Sequence, residues 1–202
     1  MQPIPLPLSP RHRLSPEEEL TELALAAGRG DRVALERFIR ETQHDVWRFV
    51  AHLTDVQSAD DLTQETFLRA LRSVPSFAGR SSARTWLLSI ARRVVVDRIR
   101  SASARPKKAH MEWQSAIDEH HERDCSDFPE ELAIADLLRS LPEDRREAFV
   151  LTRVFGLSYG EAADAIGCPI GTIRSRVARA RDALMLLMSE PDQSLLAGQR
   201  AS

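Results

Sequence analysis

Arginines and short polar side chains recur along the segment from Thr172 to Arg181. When these residues are placed at 100° steps around a helix, one face carries Ser175, Ala178, Arg179 and Asp182, flanked by Thr172, Arg174 and Arg181. Short polar side chains and arginine forks reach base edges and phosphates in a major groove. The pattern therefore predicts a recognition helix for duplex DNA, with an amphipathic helix that carries solvated arginines as the alternative.

A tight corner precedes this helix. Ser158 and Glu161 have the spacing of a reciprocal capping box, which predicts a helix from Tyr159 to Ile166 that stops at Gly167. Pro169 suits the first position of the second helix, where a missing N–H costs nothing. The face of that helix opposite the arginines must contact a core, because it carries Ile173, Val177, Ala180, Leu184 and Leu187. Two helices joined by so short a corner indicate a helix-turn-helix.

An acidic polar face is predicted on an earlier helix, which opens between Ser58 and Asp61. Leu62, Phe67 and Leu71 fall at core spacing on this helix. The outer face is then left to Asp60, Asp61, Gln64, Glu65 and Arg69. Such a face is either solvated or a docking surface for a basic protein partner.

A tryptophan lies beside arginines on a helix predicted from Ala83 to Arg100. The helical wheel turns Leu87, Ile90, Ala91 and Val94 inward and leaves Trp86, Ser89, Arg92 and Arg93 around the other side. Proteins grip single-stranded nucleic acid with such rings and arginines, each stacked base contributing roughly 1–3 kcal/mol. Periodicity alone, however, favours a core position for a tryptophan in a helical bundle.

A third group of reactive side chains comprises His110, His120, His121 and Cys125. Imidazole and thiolate groups bind zinc, so a metal-dependent enzyme is one alternative. The spacing matches no zinc pattern, and the polar segment 102–128 is better explained as a flexible linker between domains. The sequence also lacks a nucleophile triad or phosphate-binding loop, so we expect no catalytic site, metal or cofactor.

Bulk composition fits a globular protein rather than a basic, non-specific nucleic-acid binder. The 202 residues carry a net charge of −2 and are 43% hydrophobic. Two distant cysteines and the lack of a long apolar run predict a cytosolic protein without membrane insertion. We expect an all-α fold of two small helical domains, residues 17–101 and 129–189, joined by the flexible linker. Residues 1–16 form a Pro-rich tail predicted to be disordered, and 190–202 a second tail.

Three segments together resemble the extracytoplasmic-function group of bacterial sigma factors, in the sigma-70 family. They run from Asp60 to Ala70, from Arg84 to Arg92 and from Leu157 to Arg176. Within the group, the sequence is similar to the actinobacterial sigma factor C type. The resemblance implies a sigma-2 domain and a helix-turn-helix sigma-4 domain. It also implies core RNA polymerase and promoter DNA as partners, with an anti-sigma factor as a candidate regulator.

The resemblance implies site residues position by position. The polymerase clamp would bind the acidic face formed by Asp60, Asp61, Gln64, Glu65 and Arg69. The flipped base and melted strand of the −10 element would meet Phe77, Arg80, Ser81, Ser82, Trp86, Ser89, Arg92 and Arg93. The −35 duplex would meet Thr172, Arg174, Ser175, Arg176, Ala178 and Arg179. Within that last set, Arg174 and Ser175 are expected on bases, and Arg176 and Arg179 on phosphates.

Two positions depart from the pattern of the group. Arg93 stands where many relatives carry asparagine, so a base contact made by that asparagine does not carry over. Ala178 stands where some relatives place a larger side chain toward DNA, so the −35 sequence preference is left open. The alternative function is a stand-alone helix-turn-helix regulator that acts without a sigma role. That alternative gives no purpose to the segment from Asp60 to Arg69 or to Trp86.

Overall fold

A computed structural model describes residues 14–104, 134 and 137–189 of the chain. The N-terminal half contains α1 (Pro16–Gly28), α2 (Arg32–Leu53), α3 (Val56–Ser73), a 3₁₀ turn (Val74–Ser76) and α4 (Ala83–Ala104). The C-terminal half contains α5 (Glu143–Phe149), a π-helical turn (Val150–Val154), α6 (Tyr159–Ile166) and α7 (Ile170–Ser189). Residues 134 and 137–139 are also helical. No strand occurs among the described residues, so the all-α prediction is confirmed.

Side-chain caps set where the first three helices begin. At α1, the N–H of Glu18 donates to Ser15 Oγ at 3.3 Å and the N–H of Ser15 donates to Glu18 Oε2 at 2.7 Å, a complete capping box. At α2, Asp31 Oδ1 accepts two backbone N–H groups at 2.9 and 3.1 Å. Asp55 accepts the N–H of Ser58 at 2.7 Å. Because Asp55 satisfies this N–H, α3 begins earlier than the predicted window.

Helix α4 is buried over a wide arc of its surface. The predicted inward face is confirmed, because all four of its residues are buried: Leu87, Ile90, Ala91 and Val94. At 100° per residue, Thr85, Leu88, Arg92 and Val95 form a second face next to this one, since Val95 lies about 40° from Ala91. Thr85, Leu88 and Val95 are buried as well. The second face meets the C-terminal half, where α6 packs against α4. One hydrophobic core therefore runs through both halves.

The capping box of the helix-turn-helix is confirmed. The N–H of Glu161 donates to Ser158 Oγ at 3.2 Å, and the N–H of Ser158 donates to Glu161 Oε2 at 2.9 Å. These bonds begin α6 immediately after Ser158, as predicted. The recognition helix α7 buries most of its predicted apolar stripe, namely Ile173, Val177, Ala180 and Leu184.

The corner between α6 and α7 differs from the prediction by one residue. Gly167 has a φ of 77°, a left-handed conformation that glycine adopts without steric cost. The N–H groups of Gly167 and Cys168 both donate to the carbonyl of Ala163, at 2.8 and 3.1 Å. Because Cys168 is tied back to α6, α7 begins at Ile170, and Pro169 precedes the helix instead of starting it.

A π-helical turn between α5 and the corner was not predicted. The N–H of Phe155 donates to the carbonyl of Val150, and that of Leu157 to the carbonyl of Leu151, both at 3.0 Å. Wide turns of this kind hold one residue more than an α-helical turn. All four of these side chains are buried, so the turn directs a continuous apolar run into the core.

Two leucines that were predicted as core residues are exposed. Leu71 is 38% exposed, because it lies at the rim of a shallow apolar pocket beside Leu35 and Ile39. Leu187 is 43% exposed, because α7 continues past Leu184, the last residue of its buried stripe.

Several predictions fall on residues outside the described part. These are residues 1–13 of the Pro-rich tail, residues 105–133 with His110, His120, His121 and Cys125, and the tail 190–202. Across the described ranges 14–104 and 137–189, no helix combines the length and apolar character needed to span a bilayer.

Candidate protein and nucleic-acid interfaces

Neighbouring helices hold the acidic face of α3 in place. Asp60 Oδ1 accepts the indole N–H of Trp47 at 2.8 Å. Arg69 bridges Glu65 on its own helix, at 2.8 Å, to Asp97 on α4, at 2.7 Å. Hydrogen bonds to Asp97 and then Glu65 raise the pKa of Arg69. The geometry of this surface is therefore partly fixed before any partner arrives.

Exposed side chains occupy the middle of the same face. Asp61 and Gln64 are exposed, and Leu68, one turn after Gln64, is 44% exposed. Leu68 was missed in the sequence, although an apolar residue in the middle of a polar face is itself a signal of contact. The face thus offers a partner an apolar centre with acidic surroundings.

The loop before α4 folds back onto Trp86. The rings of Phe77 and Trp86 lie 4.9 Å apart between centroids, at 39°, and Trp86 lies 6.5 Å from the core ring of Phe38. Trp86 is only half-buried. It therefore belongs to the edge of the core and still leaves part of its ring accessible for stacking.

Serines support the start of α4, while other predicted residues are free to meet nucleic acid. Ser82 Oγ accepts the N–H of Thr85 at 3.2 Å and donates to Thr85 Oγ1 at 3.0 Å. Ser89 Oγ donates to the carbonyl of Trp86 at 2.7 Å. Three predicted residues are exposed on this side of the molecule: Arg80, Ser81 and Arg93.

The recognition face of α7 is open to solvent. Arg174, Ser175, Ala178 and Arg179 are all exposed, and Thr172 is half-buried. Ser175 Oγ donates to the carbonyl of Thr172 at 2.9 Å. Four of the six predicted −35 residues thus share one exposed face, with both guanidinium groups accessible.

Arg176 does not join that face in the described arrangement. Its Nε lies 3.2 Å from Asp144 Oδ2 on α5, and its side chain is 25% exposed. Its Nη1 lies 4.0 Å from Cys168 Sγ. These contacts direct Arg176 toward the scaffold of the helix-turn-helix, and a role on phosphate stays a prediction.

Arg92 is separated from the other −10 residues by an ion pair with the C-terminal half. Its Nη2 donates to Glu147 Oε2 at 3.3 Å, and its Nε contacts Glu147 Oε1. The side chains are 20% and 8% exposed, so the pair is largely buried. Burial raises the pKa of Glu147 above its ordinary value, and the opposing effect of Arg92 is smaller.

A second polar contact links the two halves. Thr85 Oγ1 donates to Glu161 Oε1 at 3.1 Å, while Glu161 Oε2 accepts from the Ser158 hydroxyl at 2.7 Å. The Ser158 hydroxyl is the main reason that the pKa of Glu161 is lowered. One carboxylate therefore both begins α6 and contacts α4.

Aromatic and backbone contacts complete the junction. Phe155 meets Phe49 edge to face, with centroids 5.5 Å apart at 86°. The Arg84 guanidinium lies 5.7 Å from the centre of the Phe155 ring, a cation–π distance. Arg146 Nη1 donates to the carbonyl of Leu53 at 3.4 Å. The junction thus has an apolar centre flanked by ionic contacts.

Glu147 was missed in the sequence. It stands next to Ala148, on the side of α5 that faces the core. A carboxylate on such a face rarely stays buried without a partner. That reasoning could have predicted a buried cation, but not that Arg92 supplies it from α4.

Comparisons with known proteins match both halves. Residues 38–105 match the family model described as Sigma-70 region 2, and residues 131–184 match that described as Sigma-70, region 4. The "Probable RNA polymerase sigma-C factor" of Mycobacterium bovis is 54% identical over 181 residues, covering 88% of this chain and 95% of that protein. The "ECF RNA polymerase sigma-E factor" of Escherichia coli is 34% identical over 179 residues, covering 83% and 94%.

Solved structures with the same fold include two that were determined in complex with a partner protein. The sigma factor RpoE of Bartonella quintana, in complex with the anti-sigma factor NepR, matches with a TM-score of 0.59 and 28% identity over 78% of this chain and 98% of that one. CnrH, in complex with the cytosolic domain of CnrY, matches in fold with a TM-score of 0.64 and 23% identity, over 84% and 97%.

Proposed function

The chain belongs to the extracytoplasmic-function sigma factors of the sigma-70 family, and from this premise we propose how its surfaces share the work of transcription initiation. The N-terminal half docks on core RNA polymerase and holds the opened −10 strand. The C-terminal half recognises the −35 element as duplex. One observation supports this division: the same chain carries both the acidic face of α3 and the exposed arginine face of α7.

Recognition of the −35 duplex rests on α7. Arg174 and Ser175 are exposed near the start of this helix, where recognition helices contact base edges. Arg179 lies more than one turn further on, where a guanidinium meets the phosphate backbone and carries no sequence information. Ala178 between them adds only a methyl group, which suits contact with a thymine methyl.

Capture of the −10 strand rests on the loop Phe77 to Ser82 and on Trp86. Extruding a base from the duplex costs a few kcal/mol, and stacking on an accessible ring helps to offset that cost. Trp86 offers part of such a ring, and Arg80 and Arg93 are exposed beside it to hold the backbone. A factor that acts on polymerase and chromosome in this way works in the cytoplasm.

We propose further that the described arrangement is a closed state. Elements centred about 25 base pairs apart lie about 85 Å apart along B-form DNA at 3.4 Å per pair. The two halves pack together through α4 and α6, and we expect them to separate before they bind both elements at once. The −35 face of α7 is open in this state, whereas Arg92 is covered by Glu147. An anti-sigma partner would add a second level of control.

In vitro transcription with core polymerase on a fragmented genomic library tests the sigma role. The wild-type protein is compared with a Gln64→Ala, Glu65→Ala variant of the acidic face. A matched double variant, Glu36→Ala with Gln43→Ala, changes exposed residues of α2. We expect specific transcripts with the wild type and the α2 control, and few or none with the acidic-face variant.

Other outcomes would separate the competing functions. Duplex DNA binding by the protein alone, with no transcripts in the presence of polymerase, would favour the stand-alone regulator. Full activity of the Gln64→Ala, Glu65→Ala variant would keep the sigma role but remove the α3 face as its docking surface.

A further inference from the structure

Helix α1 uses one stripe of its surface to contact the −10 loop (Phe77 to Ser82) at one point and the chain on either side of this loop at two more. Thr21, Leu25 and Gly28 are spaced four and three residues apart, so they share one face of the helix. A separate face carries Ala24 and Ala27 into the core. The loop-facing stripe is therefore distinct from the residues that anchor α1.

The first contact fixes the end of the loop. The N–H of Ala83, the first residue of α4, donates to Thr21 Oγ1 at 3.1 Å. The same hydroxyl donates to the carbonyl of Glu17 at 2.9 Å, so it has a single orientation. Thr21 thereby acts as a cap for α4 from a position 62 residues earlier in the chain.

The other contacts fix the start and the middle of the loop. Gly28 lies so close to the 3₁₀ turn that a Cβ in its place would stand 2.7 Å from the carbonyl oxygen of Val74. Gly79, at the loop apex with a φ of 65°, lies over Leu25, whose methyl groups are 3.6 Å from the position of an added Cβ. The contacts thus hold the backbone at Val74 before the loop, at Gly79 within it and at Ala83 after it, and they leave Arg80 and Ser81 exposed.

We propose that α1 is the positioning helix of −10 recognition, through Thr21, Leu25 and Gly28. A flipped base must meet side chains within a fraction of an ångström of their productive positions, and loops hold such geometry only when another element supports them. The three contacts give the loop this support at both ends and at its apex. The proposal rests on the proposed role of the loop as the reader of the −10 strand.

Thr21→Val is the test variant, because it keeps the shape of the side chain and removes the acceptor for Ala83. Thr21→Ser keeps the acceptor and should rescue the effect. Glu22→Gln changes an exposed residue of the same helix and serves as a control. Gly28→Ala is the second variant, because its methyl group would displace the turn that leads into the loop.

The assay is in vitro transcription with core polymerase from a promoter found with the wild-type protein. Each variant is measured on templates with the original −10 element, with single −10 substitutions and with single −35 substitutions. We expect Thr21→Val to lower the preference for the original −10 element about fivefold, the value of one hydrogen bond. Discrimination at −35 should stay close to that of the wild type, and the melting temperature should fall only by the few degrees that the loss of one hydrogen bond causes.

Two results would overturn the inference. One is unchanged −10 discrimination in both Thr21→Val and Gly28→Ala. The other is a loss in Thr21→Ser equal to that in Thr21→Val, since the hydroxyl would then have no part in the effect. A different result would show that the loop does not read the −10 strand at all. In that case an Arg80→Ala, Ser81→Ala loop variant would also keep full −10 discrimination.

Discussion

Replacing Arg92 with alanine should weaken the junction between the two halves far more than replacing Glu147 with glutamine. Removing one partner from a fully buried ion pair costs about 3–5 kcal/mol, because the other charge is left without compensation. Glu147 is the more buried partner, with 8% of its side chain exposed against 20% for Arg92. Since Arg92 retains some contact with water, we expect a loss of about 2–3 kcal/mol for Arg92→Ala.

Glu147→Gln should cost less than Arg92→Ala, because the amide still accepts from the guanidinium and the Arg92 charge that is left unpaired is the more exposed of the two. The two variants should also differ in their pH dependence. Burial raises the pKa of Glu147 above its ordinary value, and Arg92 is the main influence that lowers it. Removing Arg92 should therefore raise this pKa further. A carboxyl with a raised pKa is most stable in the fold when protonated, and this stability is lost as pH rises through the raised value. The cost of Arg92→Ala should therefore shrink in mild acid, whereas that of Glu147→Gln should not.

Urea unfolding of the full chain at about pH 5.5 and about pH 7.5 measures both effects. Small-angle scattering on the same samples reports whether the halves separate before they unfold. Arg98→Ala, an exposed change on α4, controls for the loss of an arginine from this helix. Equal losses for Arg92→Ala and Glu147→Gln at both pH values would refute the reasoning, as would a pH-independent loss in Arg92→Ala.

Three further predictions concern the helix-turn-helix. Gly167→Ala should lower the unfolding free energy by about 1–2 kcal/mol, because the φ of 77° at this position is left-handed. An added Cβ meets nothing within 4 Å, so the cost comes from the backbone alone. Gly167→Asn should lose less unfolding free energy in the same urea titration, because asparagine adopts this conformation more readily than alanine. Ser158→Ala should cost about 1 kcal/mol at neutral pH. The variant also loses the hydrogen bond that lowers the pKa of Glu161. This bond stabilises the fold only while Glu161 is ionised, so its contribution to stability is lost as pH falls through the lowered pKa. The melting temperatures of the wild type and the variant should therefore converge in acid. Arg174→Ala should reduce discrimination at one −35 position by about 1–3 kcal/mol, whereas Arg179→Ala should weaken binding to all duplexes and lower the salt slope by about one; equal losses on specific and random DNA would contradict this assignment.

Local features of the fold could be predicted because their causes are local in sequence. Ser158 begins a helix with a glutamate three residues later, and the predicted capping box is present in the structure. Gly167 ends α6 as expected, since few residues other than glycine adopt its backbone conformation. Pro169 was placed wrongly by one position, because Cys168 was taken as the cap of α7, whereas its N–H belongs to the closing turn of α6.

The second buried face of α4 could not be predicted from its own sequence. Leu88 and Val95 extend the buried surface beyond the predicted inward face, and their burial depends on α6, which follows more than fifty residues later. The prediction that Leu187 lies in the core was wrong for the converse reason. The apolar spacing of α7 continues past the point where its packing partner ends. The predicted contacts with polymerase and DNA stay predictions, because no partner is present to meet them.

The π-helical turn makes chain length as important as residue identity between α5 and α6. Each residue advances a helix by about 100°, and the turn at Val150–Val154 accommodates one residue beyond the α-helical count. A one-residue deletion in this turn would restore the α-helical hydrogen bonds but rotate Phe155 away from Phe49, now 5.5 Å distant. The recognition helix would turn with it, so the angular phase of the arginines relative to the DNA groove would change. Deletions here should therefore be less tolerated than most substitutions of the same residues.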